Sequence, residues 1–204
     1  MSRIRFGLAS KPGSENQTMT ENNQLETVSG ADIVAAIEAA TAEVFSTMLG
    51  MEVASSGVLT EQTVAAAPAG GVVSLIGLAG SWTGTGSLSC TGHFACKLSS
   101  QFLMAEYHAV DEEVLDALAE ITNMIIGNVK TALEEKIGPM GLSTPTVIFG
   151  RNFQTRSARI HDWTVVRFDC GEDQIYVQMC LAPNRDAASK PTRPGFMFPQ
   201  VIHV

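Results

Sequence analysis

Apolar residues recur every three or four positions in three stretches of the chain, and this spacing predicts three helices. The first runs from Ala31 to Leu49 and ends at Gly50, a residue typical of helix C-termini. The second runs from His93 to about Ala105. The third and longest spans Asp111 to Ile137, opens with acidic residues that favour a helix N-terminus, and ends before Gly138 and Pro139.

Shorter runs rich in β-branched residues, or with a period of two, predict strands. These runs are Met51–Val58, Gly71–Leu78, Thr83–Cys90, Thr146–Phe149, and the pair Trp163–Phe168 and Gln174–Leu181, which reads as a hairpin. The strands come in blocks and do not alternate with helices. We therefore predict an α+β fold, a two-layer domain of long helices packed on a β-sheet, with a duplicated helix-then-strands unit.

The chain of 204 residues suits one domain with tails. Residues 1–29 are rich in Ser, Asn, Thr and Gln, which predicts a flexible N-terminal tail. Residues 183–204 contain four prolines and predict a loosely structured C-terminal tail. The domain itself is expected over residues 30–182.

Charge and cysteine content exclude some classes of function. The net charge of −8, without a run of Lys or Arg, argues against a nucleic-acid partner. Residues 62–94 contain no Asp, Glu, Lys or Arg, but their glycines and Pro68 argue against a membrane-spanning helix. The four cysteines form no Cys-x-x-Cys pair, so we expect reduced thiols and a cytoplasmic protein.

The longest helix separates into an apolar and a polar face when residues are placed about 100° apart. The predicted buried face consists of Val114, Leu118, Ile121, Thr122, Ile125, Val129, Ala132 and Leu133. The opposite face carries a polar stripe of Asp116, Glu120, Asn123, Gly127, Lys130 and Glu134.

Two members of the stripe are poor choices for an exposed helix. Gly127 costs about 1 kcal/mol relative to Ala in a helix interior, and Asn123 is a weak helix former away from a cap. A glycine on an outer face also lets another protein's backbone approach closely. The stripe therefore predicts a docking surface, with Asp116, Gly127 and Lys130 as partner-binding residues beside Glu120 and Asn123.

This helix, with Glu120-x-x-Asn123 followed by Gly127-Asn128, resembles the signature helix of the CheC/CheX/FliY phosphatases. The resemblance covers about residues 31 to 182. It implies a CheC-like fold and dephosphorylation of the aspartyl phosphate of a CheY-like response regulator. By the same resemblance, Asn123 would orient the attacking water and Glu120 would pair with the receiver's lysine. The receiver would supply Mg²⁺, no metal or cofactor would be held by this chain, and a homodimer is expected.

Members of that family with two sites carry a second Glu-x-x-Asn on the first helix. Here the corresponding segments are Glu43-x-x-Ser46 and Glu38-x-x-Thr41, so a single, CheX-type site is expected. Two alternatives remain open from the sequence. One is a non-catalytic adaptor that binds a receiver or the flagellar switch through the same helix face, and the other is a stripe that is merely solvated.

Overall fold

The computed structural model describes residues 28–61, 71–150 and 163–184. The helices are α1 (Gly30–Val44), α2 (Gly92–Leu103) and α3 (Glu112–Ile137), and a π-helical turn, Phe45–Leu49, follows α1. The strands are β1 (Ala54–Glu61), β2 (Gly71–Gly80), β3 (Trp82–Thr91), β4 (Met140–Leu142), β5 (Thr146–Gly150), β6 (Trp163–Cys170) and β7 (Asp173–Pro183). This arrangement confirms the predicted α+β class.

All strand pairs of the sheet are antiparallel, in the order β1-β6-β7-β3-β2-β4, and β5 also pairs with β2. Both β4 and β5 pair with β2, so they act as one interrupted edge strand. Reversing this order exchanges β1 with β4–β5, β2 with β6, and β3 with β7. The topology therefore contains two related units of one long helix and three strands, in agreement with the predicted duplication.

Local signals define the ends of the helices. Ser29 caps α1 in a capping box with Asp32, and Gly50, in the left-handed region with φ 61°, terminates the π-helical turn. The Asp111 side chain accepts a hydrogen bond from Val114 N at the start of α3. These observations confirm the predicted helices to within a few residues.

Helix α3 packs against α1, α2 and the sheet. Its buried residues are Val114, Ala117, Leu118, Ile121, Thr122, Ile125, Ile126, Val129, Leu133 and Ile137. The prediction for Ala132 was wrong, because that residue is exposed. Ile126 is buried instead, directly over Gly86 of β3, where an added methyl group would stand 2.7 Å from Ile126 Cδ1. The missing side chain at Gly86 thus lets α3 approach the sheet closely.

Some boundaries differ from the sequence predictions. Strand β1 begins at Ala54 and not at Met51, and β4 was not predicted. The hairpin is confirmed, with Gly171 at φ 67° in a turn of two residues between Cys170 and Asp173. The tail predictions, 1–29 and 183–204, fall outside the described residues except at 28–29 and 183–184. Within the described ranges, no helix has both the length and the apolar character needed to cross a bilayer.

Gly86→Ala is expected to lower the free energy of unfolding by about 1–3 kcal/mol, because the new methyl group must displace the fully buried Ile126. Urea denaturation measures the effect. Gly141→Ala in β4 is the matched control, since its nearest neighbour, the Ala79 carbonyl oxygen, would lie at an ordinary 3.6 Å. Equal denaturation midpoints for the two variants would contradict the proposed close approach at Gly86.

Asp32 makes the stability of the α1–α3 pair dependent on pH. Its carboxylate accepts hydrogen bonds from Lys136 Nζ at 2.5 Å and from Ser29 N at 2.9 Å, and the Lys136 contact is the main reason why the pKa of Asp32 is well below its usual range. The stabilisation is therefore complete above the pKa of the unfolded state, about 4, and is lost as the pH falls towards the folded-state pKa.

We expect Asp32→Asn to be less stable than the wild type at pH 6 and to approach it as the pH is lowered below 3. Denaturation at a series of pH values tests this expectation. Glu52→Gln, at an exposed position, serves as the control and should follow the wild type throughout. If the free energies of unfolding of Asp32→Asn and the wild type differ by the same amount at every pH, the Asp32 carboxylate is not the source of the pH-dependent stability.

Candidate functional site on helix α3

The polar stripe lies on the outward face of α3, as predicted. Asp116 and Glu120 are exposed, whereas Asn123, Gly127 and Lys130 are half-buried. Their neighbours Leu118, Ile121, Thr122 and Ile125 are fully buried, and the Thr122 hydroxyl donates to the Leu118 carbonyl at 2.7 Å. The packed face thus fixes the rotation of the helix and holds the stripe towards solvent.

Glu120 and Asn123 are one helical turn apart, which places their Cβ atoms about 5–6 Å from each other. Among the described residues, neither side chain has a hydrogen-bond or ion-pair partner. A carboxylate can accept from a cationic donor, and a carboxamide can both donate and accept. The pair therefore offers carboxylate oxygens, an amide oxygen and an amide N–H to another molecule, and no internal contact has to break first.

Gly127 lies in the same stripe, next to strand β4. A methyl group at this position would lie 3.8 Å from Leu142 Cδ1, an ordinary van der Waals contact. The fold itself therefore has room for alanine at Gly127, in contrast to Gly86. Glycine at this position is explained better by close approach from outside than by internal packing.

Lys130, the third predicted partner-binding residue, already has an internal partner. Its Nζ lies 2.8 Å from Glu134 Oε2, and the other carboxylate oxygen of Glu134 accepts from Met140 N at 2.7 Å. These contacts, Lys130 first, lower the pKa of Glu134. The network ties the end of α3 to the start of β4, so a partner that binds Lys130 must compete with Glu134.

Helix α1 does not present an equivalent pair. Thr41 is fully buried, and the Ser46 hydroxyl donates to the Glu43 carbonyl at 3.1 Å. The Glu43 carboxylate accepts a hydrogen bond from Asn128 Nδ2 at 3.2 Å. Asn128 thus links α3 to α1 and lies outside the stripe, a role that sequence reasoning missed because it requires the pairing of the two helices.

The candidate site is an open helix surface. A pocket of about 700 Å³ lies elsewhere, beside α2, and is lined by Gly50, Met51, His93, Cys96, Lys97, Ser100, Gln101, Tyr107 and His108. In the described part of the chain, no group of three or more His, Cys, Asp or Glu side chains is placed to hold a metal ion.

Comparison with known proteins finds similar sequences and structures. The family model for chemotaxis phosphatase CheX matches residues 72–169, which include β3, α2 and all of α3. The chain is 31% identical over 87 residues to a Thermotoga maritima protein named CheY-P phosphatase CheX. That alignment covers 42% of this chain and 56% of the relative, so the chain spans about half the length of the curated relative.

Solved structures share the fold. The chemotaxis protein CheX from Vibrio vulnificus superposes with a TM-score of 0.65 at 24% identity, over 74% of this chain and 99% of the other. The matching chain of a CheX–CheY–BeF3–Mg²⁺ complex from Borrelia burgdorferi gives a TM-score of 0.60 at 23% identity, over 73% of this chain and 97% of the other. The chain is thus similar in sequence to chemotaxis phosphatase CheX over residues 72–169, and it shares its fold with solved CheX proteins.

Proposed function

We propose that this chain is a phosphatase that hydrolyses the aspartyl phosphate of a CheY-like response regulator, with Glu120 and Asn123 as its catalytic residues. The observation that carries the proposal is the placement of these two side chains, adjacent and without internal partners among the described residues, on the outward face of a rigidly packed helix. The curated relative is named for this activity, and the Borrelia protein of the same fold was solved with CheY, BeF3 and Mg²⁺.

Asn123 would act on the attacking water. Hydrolysis of an acyl phosphate needs a water molecule in line with the bond that breaks, and holding that water in place contributes much of the available acceleration. The Asn123 amide can accept a hydrogen bond from the water and can donate one to a phosphoryl oxygen. It needs no change of protonation to do so.

Glu120 would fix the position of the receiver. Its carboxylate, one turn before Asn123, is suited to a charge-assisted hydrogen bond with a lysine in the receiver's phosphorylation site. Such a contact sets the register of docking and therefore the position of Asn123. The Mg²⁺ that neutralises phosphoryl charge would come with the receiver, and we assign no metal ligand to this chain.

The remaining stripe residues would extend the contact. Asp116 is exposed one turn before Glu120, and Gly127 offers a flat approach one turn after Asn123. Lys130 would contribute only by leaving Glu134. We also propose a homodimer, in line with the family resemblance, and a cytoplasmic location, in line with four unpaired and buried cysteines.

A non-catalytic adaptor, which binds a receiver or the flagellar switch through the same face, is the competing function. It requires the docking surface but gives no role to the amide of Asn123. The enzyme is favoured because the curated relative is named as a CheY-P phosphatase.

Asn123→Ala is expected to lower the rate of receiver dephosphorylation by about 100-fold or more, because the attacking water loses its positioning group. Binding of the receiver should persist, since Glu120 and the rest of the stripe are unchanged. The decay of a ³²P-labelled CheY-like receiver with Mg²⁺ gives the rate, and titration with a beryllofluoride-activated receiver gives the Kd.

Gln101→Ala removes an exposed amide from α2, outside the stripe, and is the matched control, expected to retain turnover. Receiver binding by the wild type without faster decay would move the assignment to the adaptor. Failure of the wild type to bind any CheY-like receiver would reject both functions.

Gly127→Ala should separate stability from function. Because the helix has room for the methyl group, we expect the free energy of unfolding to rise by about 0.5–1 kcal/mol. The Kd for the receiver should nevertheless rise about tenfold, which corresponds to a loss of about 1.4 kcal/mol of binding free energy. Ala132→Gly, at an exposed position outside the stripe, is the reciprocal control and should lower stability without changing the Kd. Wild-type affinity in Gly127→Ala would remove Gly127 from the interface.

A further inference from the structure

Strand β5 runs beside the site helix at the edge of the sheet. Glu134 of α3 binds Met140 N, and Gly127 faces Leu142, so the chain of β4 follows α3 towards its N-terminus. β5 continues in the same direction, because both strands pair antiparallel with β2, and it also packs against α3.

Phe149 lies in this strand on the same side of the sheet as the helices. It pairs directly with Val72, which is fully buried in the core beneath them, and directly opposed residues share a face. Phe149 is nevertheless 51% exposed, so about half of its surface is open to solvent. Its exposure is unusual for an aromatic side chain on this face.

The position of Phe149 along α3 follows from the strand register. Leu142 pairs with Leu78 and Phe149 with Val72. These partners are six positions apart on β2 and are therefore about 20 Å apart at a rise of 3.3 Å per residue. That distance equals about 13 helical residues counted back from Gly127, at 1.5 Å each. Phe149 is therefore level with the first turn of α3, around Val114, next to Asp116 at the N-terminal end of the stripe.

The edge itself lacks the usual protection against association. Residues 143–150 contain no charged side chain, whereas exposed sheet edges are commonly protected by charges. Aromatic residues are also enriched among those that dominate protein interfaces. Phe149 and its strand thus have the uncharged, aromatic composition that is typical of the central part of a protein interface.

We propose that Phe149 is a docking residue for the phosphorylated receiver, seated by the same interface that brings Glu120 and Asn123 to the phosphoryl group. This inference rests on the proposed function. An interface of ordinary size covers about 800 Å² on each partner, a patch of about 16 Å radius. Centred between Glu120 and Asn123, such a patch reaches across α3 to the strand packed beside it. The receiver must accordingly present an apolar surface to one side of its phosphorylation site.

The test separates docking from chemistry. Phe149→Ala should raise the Kd for a beryllofluoride-activated CheY-like receiver, and the KM for the phosphorylated one, about tenfold or more. Its kcat should stay at the wild-type value, because Glu120 and Asn123 are intact. Phe149→Leu should recover most of the affinity. Val58→Ala is the matched control, since Val58 is 47% exposed on β1, at the opposite edge of the sheet.

Unchanged Kd and KM in Phe149→Ala, with an active wild type, would overturn this inference and leave the proposed function intact. A wild type that binds the receiver without turnover would contradict the phosphatase, while the Kd values would still decide the role of Phe149. Sedimentation of the wild type and of Phe149→Ala provides a further test. If the substitution converts a wild-type dimer to a monomer, the ring of Phe149 contacts a second copy of the chain. That result would overturn the proposal.

Discussion

The close packing of α3 on the sheet is the constraint on which the rest of the site depends. Gly86 leaves the space into which Ile126 fits, and the fully buried residues around Ile126 fix both the depth and the rotation of the helix. Once that rotation is set, Glu120 and Asn123 must point outwards. The Lys130–Glu134–Met140 network and the Asn128–Glu43 hydrogen bond then hold α3 to its two neighbours, β4 and α1.

The two halves of the molecule share one topology but differ in their surfaces. On the outer face of α3, a carboxylate and an amide have no internal partners among the described residues. The comparable polar groups of α1 either have hydrogen-bond partners or are buried. Asp32 binds Lys136, Glu43 binds Asn128, and Thr41 is buried. The duplicated architecture therefore presents a single candidate site on its two long helices, and α1 serves as the support against which the site helix is fixed.

Sequence periodicity was sufficient for α3 and its stripe, because a long amphipathic helix has a strong local signal. It failed at Ile126, which packs over Gly86, a glycine 40 residues earlier in the chain, and at Ala132, which is exposed. It also missed β4, a strand of three residues that exists only through pairing with β2. The exposure of Phe149 could not be predicted, since Thr146–Phe149 reads as a strand without indicating which edge or face it occupies.

The most direct measurement is the crystal structure of this chain bound to a beryllofluoride- and Mg²⁺-activated CheY-like receiver. We predict that α3 enters the receiver's phosphorylation site, with the Glu120 carboxylate on the receiver's lysine. The Asn123 amide should lie within hydrogen-bond distance, about 3 Å, of the position of an in-line water. A complex in which the receiver contacts another face, and Asn123 remains in solvent, would contradict the account.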